Sequence, residues 1–328
     1  MKELFENLNH VYVNLTPGNM LLVNFILAFV MFGVALGVKM DTFKDVFRNP
    51  KSLIIGIILQ WVGLPLVTMI LVILLSNVIT PEIAFGMILV AACPGGNISN
   101  FISSLSKGNV ELSVSMTAVS TAFSPLITPF NFWLWGNIYR NYAESKFENM
   151  PILEIEFMDV LVQILLILGL PILLGFLVSH YMPRIADKLK KPTSILSIIL
   201  FIAMVAVSLN QVLTGLDKAG MLATAGVGIL AVLAIVVVHN GSVLGSGYLT
   251  ASLLKRPIAD RRSLTIETGI QNSGLGLVML LNPKIFDPAT WGARDQMGNI
   301  ILNSEGAPAG ICGGLILVAA LWGIWHIL

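Results

Sequence analysis

The sequence predicts an all-α polytopic membrane protein with about nine transmembrane helices. Two observations carry this. Of 328 residues, 56% are hydrophobic and only 11% are charged, against roughly 25% charged in a soluble domain. Apolar runs of about 20 residues, enough to cross about 30 Å of hydrocarbon, recur along the whole chain. Net charge is +1, which gives no reason to expect nucleic acid as a partner. Cys93 and Cys312 both lie in apolar runs and read as small buried hydrophobes rather than a disulfide framework.

The expected spans, taken in order, are 20–38, 52–76, 83–106, 110–136, 158–180, 193–213, 220–253, 264–281 and 311–328. Residues 1–19 precede them as an external segment without the pattern of a signal peptide. Residues 41–49 ("DTFKDVFRN") read as a short amphipathic surface helix. The loops after the first, third, fifth and seventh spans hold 13 of the 19 Lys and Arg residues. The other side holds Lys2, Arg140, Lys146, Lys218, Lys284 and Arg294. Positive charge collects on the cytoplasmic side, so the N-terminus is expected outside and the C-terminus inside. Residues 137–157 and 282–310 are expected as external loops. The last span ends after 18 residues without a cationic flank, as if cut short inside its helix.

Two spans carry breaks. The third is interrupted at Pro94-Gly95-Gly96, within "CPGGNISN". Proline removes a backbone donor and clashes with the preceding turn, and glycine opens backbone shapes closed to other residues. The eighth, "LTIETGIQNSGLGLVML", places Glu267, Gln271, Asn272 and Ser273 in an otherwise apolar stretch. A carboxylate at that depth costs at least about 2.5 kcal/mol unless it is compensated. The two spans run in opposite directions, which is the sequence mark of an inverted-repeat transporter with two crossed discontinuous helices. Opened half-helices would offer amide groups to an anion, and their carbonyls with side-chain oxygens would suit a hard cation. The bland alternative is a kink or close packing.

At these residues the sequence resembles the bile acid:sodium symporter family. The match rests on "CPGGNISN" (93–100), "LSVSMTAVSTAFSPLITP" (112–129), "VVHNG" (237–241) and "LTIETGIQNSGL" (264–275). The resemblance implies a core domain from spans 52–136, 220–281 and 311–328, with a panel domain from 20–38 and 158–213. Together they make one transporter domain over 20–328. It implies two sodium sites as well. Ser99, Asn100, Ser113, Thr117 and Glu267 match the first. Gln60, Gln271 and Glu267, with the backbone carbonyls of Thr268 and Ile270, match the second. Substrate would lie near Gly95, Gly96, Asn97 and Asn272, with His239 and His326 as further candidates. The family moves organic anions, among them bile acids, sulfated steroids, short oxo acids and pantoate, so a bacterial inner-membrane sodium symporter is implied. "PGGNISN" stands here where many relatives read "PGGTASN", and "WHI" where some read "WHN"; both departures bear on substrate identity.

Alternatives stay open at this level. Ser113 and Thr117 could bond back to the preceding turn. His239 could serve proton coupling or be a satisfied structural histidine. Gly33 and Gly37 could mediate dimerisation or close packing. A buried Glu267 could carry protons in place of sodium, and broken helices could line a channel. An enzyme is not expected: the four histidines are scattered, with no metal-spaced Cys/His cluster, nucleophile elbow or phosphate loop. No cofactor is implied beyond Na+ as coupling ion.

Overall fold

A computed structural model describes residues 2–13, 17–37, 50–146, 157–218, 222–282, 285–293, 295, 299–302, 308 and 310–327. The expected surface helix over 41–49 lies outside them. The described residues form an all-α membrane protein. Its helices are α1 (Lys2–Asn9), α2 (Pro17–Leu36), α3 (Pro50–Leu74), α4 (Pro81–Ala92), α5 (Asn97–Leu105), α6 (Val110–Glu144), α7 (157–181), α8 (Pro183–Lys218), α9 (Leu222–Leu253), α10 (Ile258–Gly269), α11 (Ser273–Leu280), α12 (Pro288–Trp291) and α13 (Gly313–Ile327). Within α3, α6, α8 and α9 lie stretches long and apolar enough to cross a membrane. The lipid face is plain on α3, where Ile54, Ile58, Val62, Leu66, Ile70 and Leu74 recur every fourth residue and are all exposed. Such a stripe would be a liability in water; against lipid tails it carries no penalty.

The opposite face of α3 is buried, and a local irregularity aims it. A π-helical turn, Leu59–Gly63, precedes Pro65. Proline displaces the carbonyl four residues back, here that of Trp61. That carbonyl accepts a hydrogen bond from Asn131 Nδ2 of α6 at 2.9 Å. The adjustment leaves Gln60 3% exposed inside the protein. The same Gly-Leu-Pro sequence follows a second π turn, Leu165–Gly169, in α7.

The third and eighth stretches are each split. α4 ends at Ala92, Cys93 and Gly96 are extended, and α5 begins at Asn97. α10 ends at Gly269, Ile270 is extended, and α11 begins at Ser273. The two unwound segments pair with each other. Gly96 N donates to Ile270 O at 3.1 Å and Asn272 N donates to Pro94 O at 2.8 Å, with Gly95 opposite Gln271 in an antiparallel bridge. Backbone that has lost its helix is thereby satisfied inside the protein, as membrane depth requires.

α2 packs chiefly on α7 and α8, whereas α13 packs on α4, α9 and α11, and α9 packs on α10. The contact of α2 with α7 is tight at Gly175, where an added Cβ would fall 2.6 Å from Phe32 O and 2.7 Å from Ala35 Cβ.

Three features depart from the sequence expectation. α6 continues to Glu144, so the expected loop at 137–157 begins eight residues later. α1 docks on the bundle with Phe5 and Leu8 fully buried, and β1 (Tyr12–Val13) pairs antiparallel with β2 (Ile311–Cys312). Asn9 Nδ2 fixes this segment to Thr80 Oγ1 at 3.1 Å and Glu82 Oε2 at 2.5 Å. Both cysteines are buried and free.

Candidate ion and substrate site

Glu267 sits near the end of α10, one turn before the break, and is 0% exposed. Hydroxyls from two other helices converge on it. Ser99 Oγ of α5 lies 2.6 Å from Glu267 Oε1. Ser113 Oγ of α6 hydrogen-bonds the same oxygen. Thr117 Oγ1, one turn along α6, lies 3.3 Å from Oε1 and 3.2 Å from Oε2. The four-residue spacing puts both α6 hydroxyls on one face, and that face turns to the carboxylate rather than back onto its own helix. Asn100 Oδ1 joins the group, 2.8 Å from Ser113 Oγ and 3.3 Å from Thr117 Oγ1. Ser99 Oγ is also 2.5 Å from Gly96 O.

Counting protons shows what this cluster lacks. Each hydroxyl has one proton to donate. The three hydroxyls face four acceptors: both Glu267 oxygens, Asn100 Oδ1 and Gly96 O. Among the described residues no lysine, arginine or histidine pairs with Glu267. The result is a buried, oxygen-lined carboxyl cluster with no basic partner among the described residues. Oxygen-only donors are what a hard cation takes.

A second group of oxygens comes from Gln60 of α3 and Gln271 of the unwound segment. Gln60 Nε2 donates to Glu267 O at 2.8 Å, and Gln271 Nε2 donates to Thr268 O at 2.7 Å. This leaves Gln60 Oε1 and Gln271 Oε1 buried without a hydrogen-bond partner. Two orphaned amide oxygens beside a carboxylate call for an explanation, and a cation supplies one. The carbonyls of Thr268 and Ile270 each already accept one hydrogen bond, from Gln271 Nε2 and Gly96 N. Gly95 sits between the groups: an added Cβ would fall 2.7 Å from Gln60 Nε2 and 3.1 Å from Glu267 Oε2. Only glycine lets the unwound strand pass here.

Two cavities lie by this site, and one of them borders the break. One, of about 370 Å³, is lined by Gly96, Gln271, Asn272 and Ser273 together with α2 and α8. The other, of about 320 Å³, is lined by Asn100 and Thr117 with α2 and α8. Gly96 and Asn272 thus line a cavity as expected for substrate contacts. Gly95 is buried behind them. The side chains of Asn97 and His326 lie outside the described residues. His239 is fully buried away from both cavities. Its Nε2 lies 2.6 Å from Thr68 Oγ1 and its ring packs edge-on to Trp322 at 4.5 Å.

Two polar residues that sequence reasoning gave no role brace the site. Asn240 Nδ2 donates to Gly269 O at 2.6 Å, tying the end of α10 to α9, and its Oδ1 accepts from Trp325 Nε1 at 3.2 Å. Asp260, near the start of α10, accepts from Ser52 Oγ at 2.6 Å and Asn109 Nδ2 at 2.8 Å. Asn240 stands in "VVHNG", where its polarity in mid-span was the available signal. Asp260 reads in sequence as an ordinary loop acid.

A profile of the Sodium Bile acid symporter family matches residues 24–216. The chain belongs to that family. The family makes it a membrane transporter and not an enzyme. The chain is similar to an uncharacterized sodium-dependent transporter, YocS, of Bacillus subtilis, 32% identical over 257 residues that cover 78% of this chain and 73% of that one. It is 29% identical over 300 residues to a probable chloroplastic sodium/metabolite cotransporter, BASS1, of Arabidopsis thaliana, covering 92% of this chain and 65% of the plant protein. Sodium/bile acid cotransporter 4 of mouse is 25% identical over 297 residues, 90% of this chain and 63% of the mouse protein. The chain therefore spans slightly less than two thirds of the plant and mouse proteins. The family profile ends before α10, so Glu267 enters through its own motif and geometry.

Proposed function

We propose that the protein is a sodium-coupled secondary active symporter that imports an organic anion by alternating access. The observation that carries this is the Glu267 cluster: a buried carboxylate, a surplus of acceptors around it and, among the described residues, no basic partner. Ser99, Asn100, Ser113, Thr117 and Glu267 would hold one sodium ion. Gln60 and Gln271, through their orphaned amide oxygens, would hold a second with Glu267 and the free lone pairs of the Thr268 and Ile270 carbonyls. One carboxylate shared by two cations accounts for a charge held at membrane depth. The names of the bacterial, plant and mouse relatives, all sodium-dependent transporters or cotransporters, support the choice of ion.

In this reading the chain crosses the membrane nine times, N-terminus outside and C-terminus inside, as an inverted repeat. α3 to α6 and α9 to α13 form the core domain; α2, α7 and α8 form the panel. Sodium binds first and orders the paired break, and the anion follows into the cavities between core and panel. Each ligand then favours the state in which both are held, which is the thermodynamic content of coupling. Relative movement of the two domains exposes the site to the cytoplasm.

The test is thermal unfolding of the purified protein in NaCl against KCl at equal ionic strength. A ligand that binds only the folded state stabilises by mass action. Sodium should raise the midpoint of the wild type and leave Glu267→Ala unmoved. Equal midpoints in the two salts for the wild type would refute sodium binding.

A further inference from the structure

Lys190 lines the cavity that Asn100 and Thr117 also line. Gly37, just past the end of α2, borders it: an added Cβ there would be in ordinary contact, 3.4 Å from Lys190 Cε and 3.7 Å from Nζ. Among the described residues no carboxylate pairs with Lys190. A lysine near a helix end ordinarily snorkels to water and needs no partner. Three observations set this one apart. Lys190, Ser194 and Ser197 fall at i, i+4 and i+7, one face of α8. That polar stripe lines both cavities, which share Gly33, Val34, Phe101 and Ser194 and so adjoin each other. At its inner end Ser197 Oγ is buried without a hydrogen-bond partner, in the cavity that reaches the break.

We propose that Lys190 is the residue that recognises the charged group of the transported anion, with Ser194 and Ser197 contacting the rest of the molecule as it reaches toward the break. The inference rests on the transporter reading and adds to it a residue, a binding direction and a size. The anion's carboxylate or sulfonate lies toward Lys190. Seven residues of helix separate Lys190 from Ser197, about 10 Å along the axis at about 1.5 Å per residue. An elongated anion can engage both ends; a three-carbon oxo acid cannot. The placement also gives the coupling a physical cause. Lys190 shares its cavity with Asn100 and Thr117, two of the oxygen ligands assigned to sodium, so an anion seated there neutralises positive charge on both sides. Removing Lys190 should weaken the mutual strengthening of sodium and anion while leaving sodium alone no weaker.

The full chain in detergent tests this through its unfolding midpoint in NaCl. Taurocholate, pantoate and pyruvate are titrated in turn against wild type, Lys190→Gln and Lys190→Arg. The most effective of the three should be longer than pyruvate. Lys190→Gln should need at least tenfold more of it, and Lys190→Arg within about threefold of wild type, with the anion-free sodium shift undiminished in both. An unchanged anion requirement in Lys190→Gln overturns the proposal. So does loss of its sodium shift, which would mark Lys190 as structural. A second measurement needs no substrate. Ser194→Cys is labelled with an anionic and a cationic methanethiosulfonate, the native cysteines being buried. The anionic-to-cationic rate ratio should fall several-fold when Lys190→Gln is added; an unchanged ratio overturns the proposal. If sodium fails to stabilise the wild type, the transporter reading falls, and the labelling ratio still judges Lys190 alone.

Discussion

Replacing Gly95 by alanine adds one methyl group at the point where the unwound strand passes between Gln60 and Glu267. That carbon would stand 2.7 Å from Gln60 Nε2 and 3.1 Å from Glu267 Oε2, well inside ordinary contact distance for the first. The carboxylate has little freedom to retreat, because Ser99 and Ser113 engage its other oxygen. The amide of Gln60 must therefore swing away and lose its 2.8 Å bond to Glu267 O. A buried donor left without its acceptor costs about 1–3 kcal/mol. At about 1.4 kcal/mol per factor of ten, that corresponds to a roughly five- to 150-fold higher sodium requirement if the displaced amide is also a sodium ligand. The assay is the unfolding midpoint as a function of NaCl, with KCl holding ionic strength. Gly276→Ala is the matched control, since its added Cβ meets Cys93 Sγ at an ordinary 3.4 Å. If Gly95→Ala keeps the wild-type sodium dependence within twofold, Gln60 does not bind the ion and the second site is misassigned.

Three further outcomes separate ion binding from scaffold. Glu267→Gln keeps the shape and removes the charge; uptake driven by a sodium gradient and stabilisation by sodium should both vanish in reconstituted and detergent-solubilised protein respectively. Ser52→Ala strips one of the two hydrogen bonds to Asp260 and should lower stability by about 1–3 kcal/mol, read as a lower midpoint in KCl, with an undiminished rise on adding sodium. Asn240→Ala releases the carbonyl of Gly269 and should lower the KCl midpoint and weaken the sodium response together, because that carbonyl lies at the end of the half-helix that carries Glu267; a sodium titration of the midpoint measures both.

The helical membrane character was legible because apolar runs report directly on lipid. The break at Pro94-Gly95-Gly96 was legible because proline and glycine act locally, and Glu267 because a carboxylate in an apolar run has to be compensated; its partners Ser99, Asn100, Ser113 and Thr117 were named only through the family resemblance. What stayed hidden was set by distant partners. The turn of α3 that buries Gln60 depends on Asn131 accepting the task of satisfying the Trp61 carbonyl, 70 residues away. Asp260 looks like a solvated loop acid until Ser52, 208 residues earlier, is placed beside it. The docking of α1 is invisible in an eight-residue amphipathic stretch and follows from Asn9 meeting Glu82 across 73 positions. Lys190 reads in sequence as one more cytoplasmic cation; only the fold sets it against the same cavity as Asn100 and Thr117.

The most direct test of the central claim is equilibrium binding of radiolabelled sodium to the purified protein, wild type beside Glu267→Gln. The account expects saturable binding to the wild type, competed by unlabelled NaCl and not by KCl, and none above background to the variant. Equal binding to both proteins, or displacement by potassium as readily as by sodium, would contradict it.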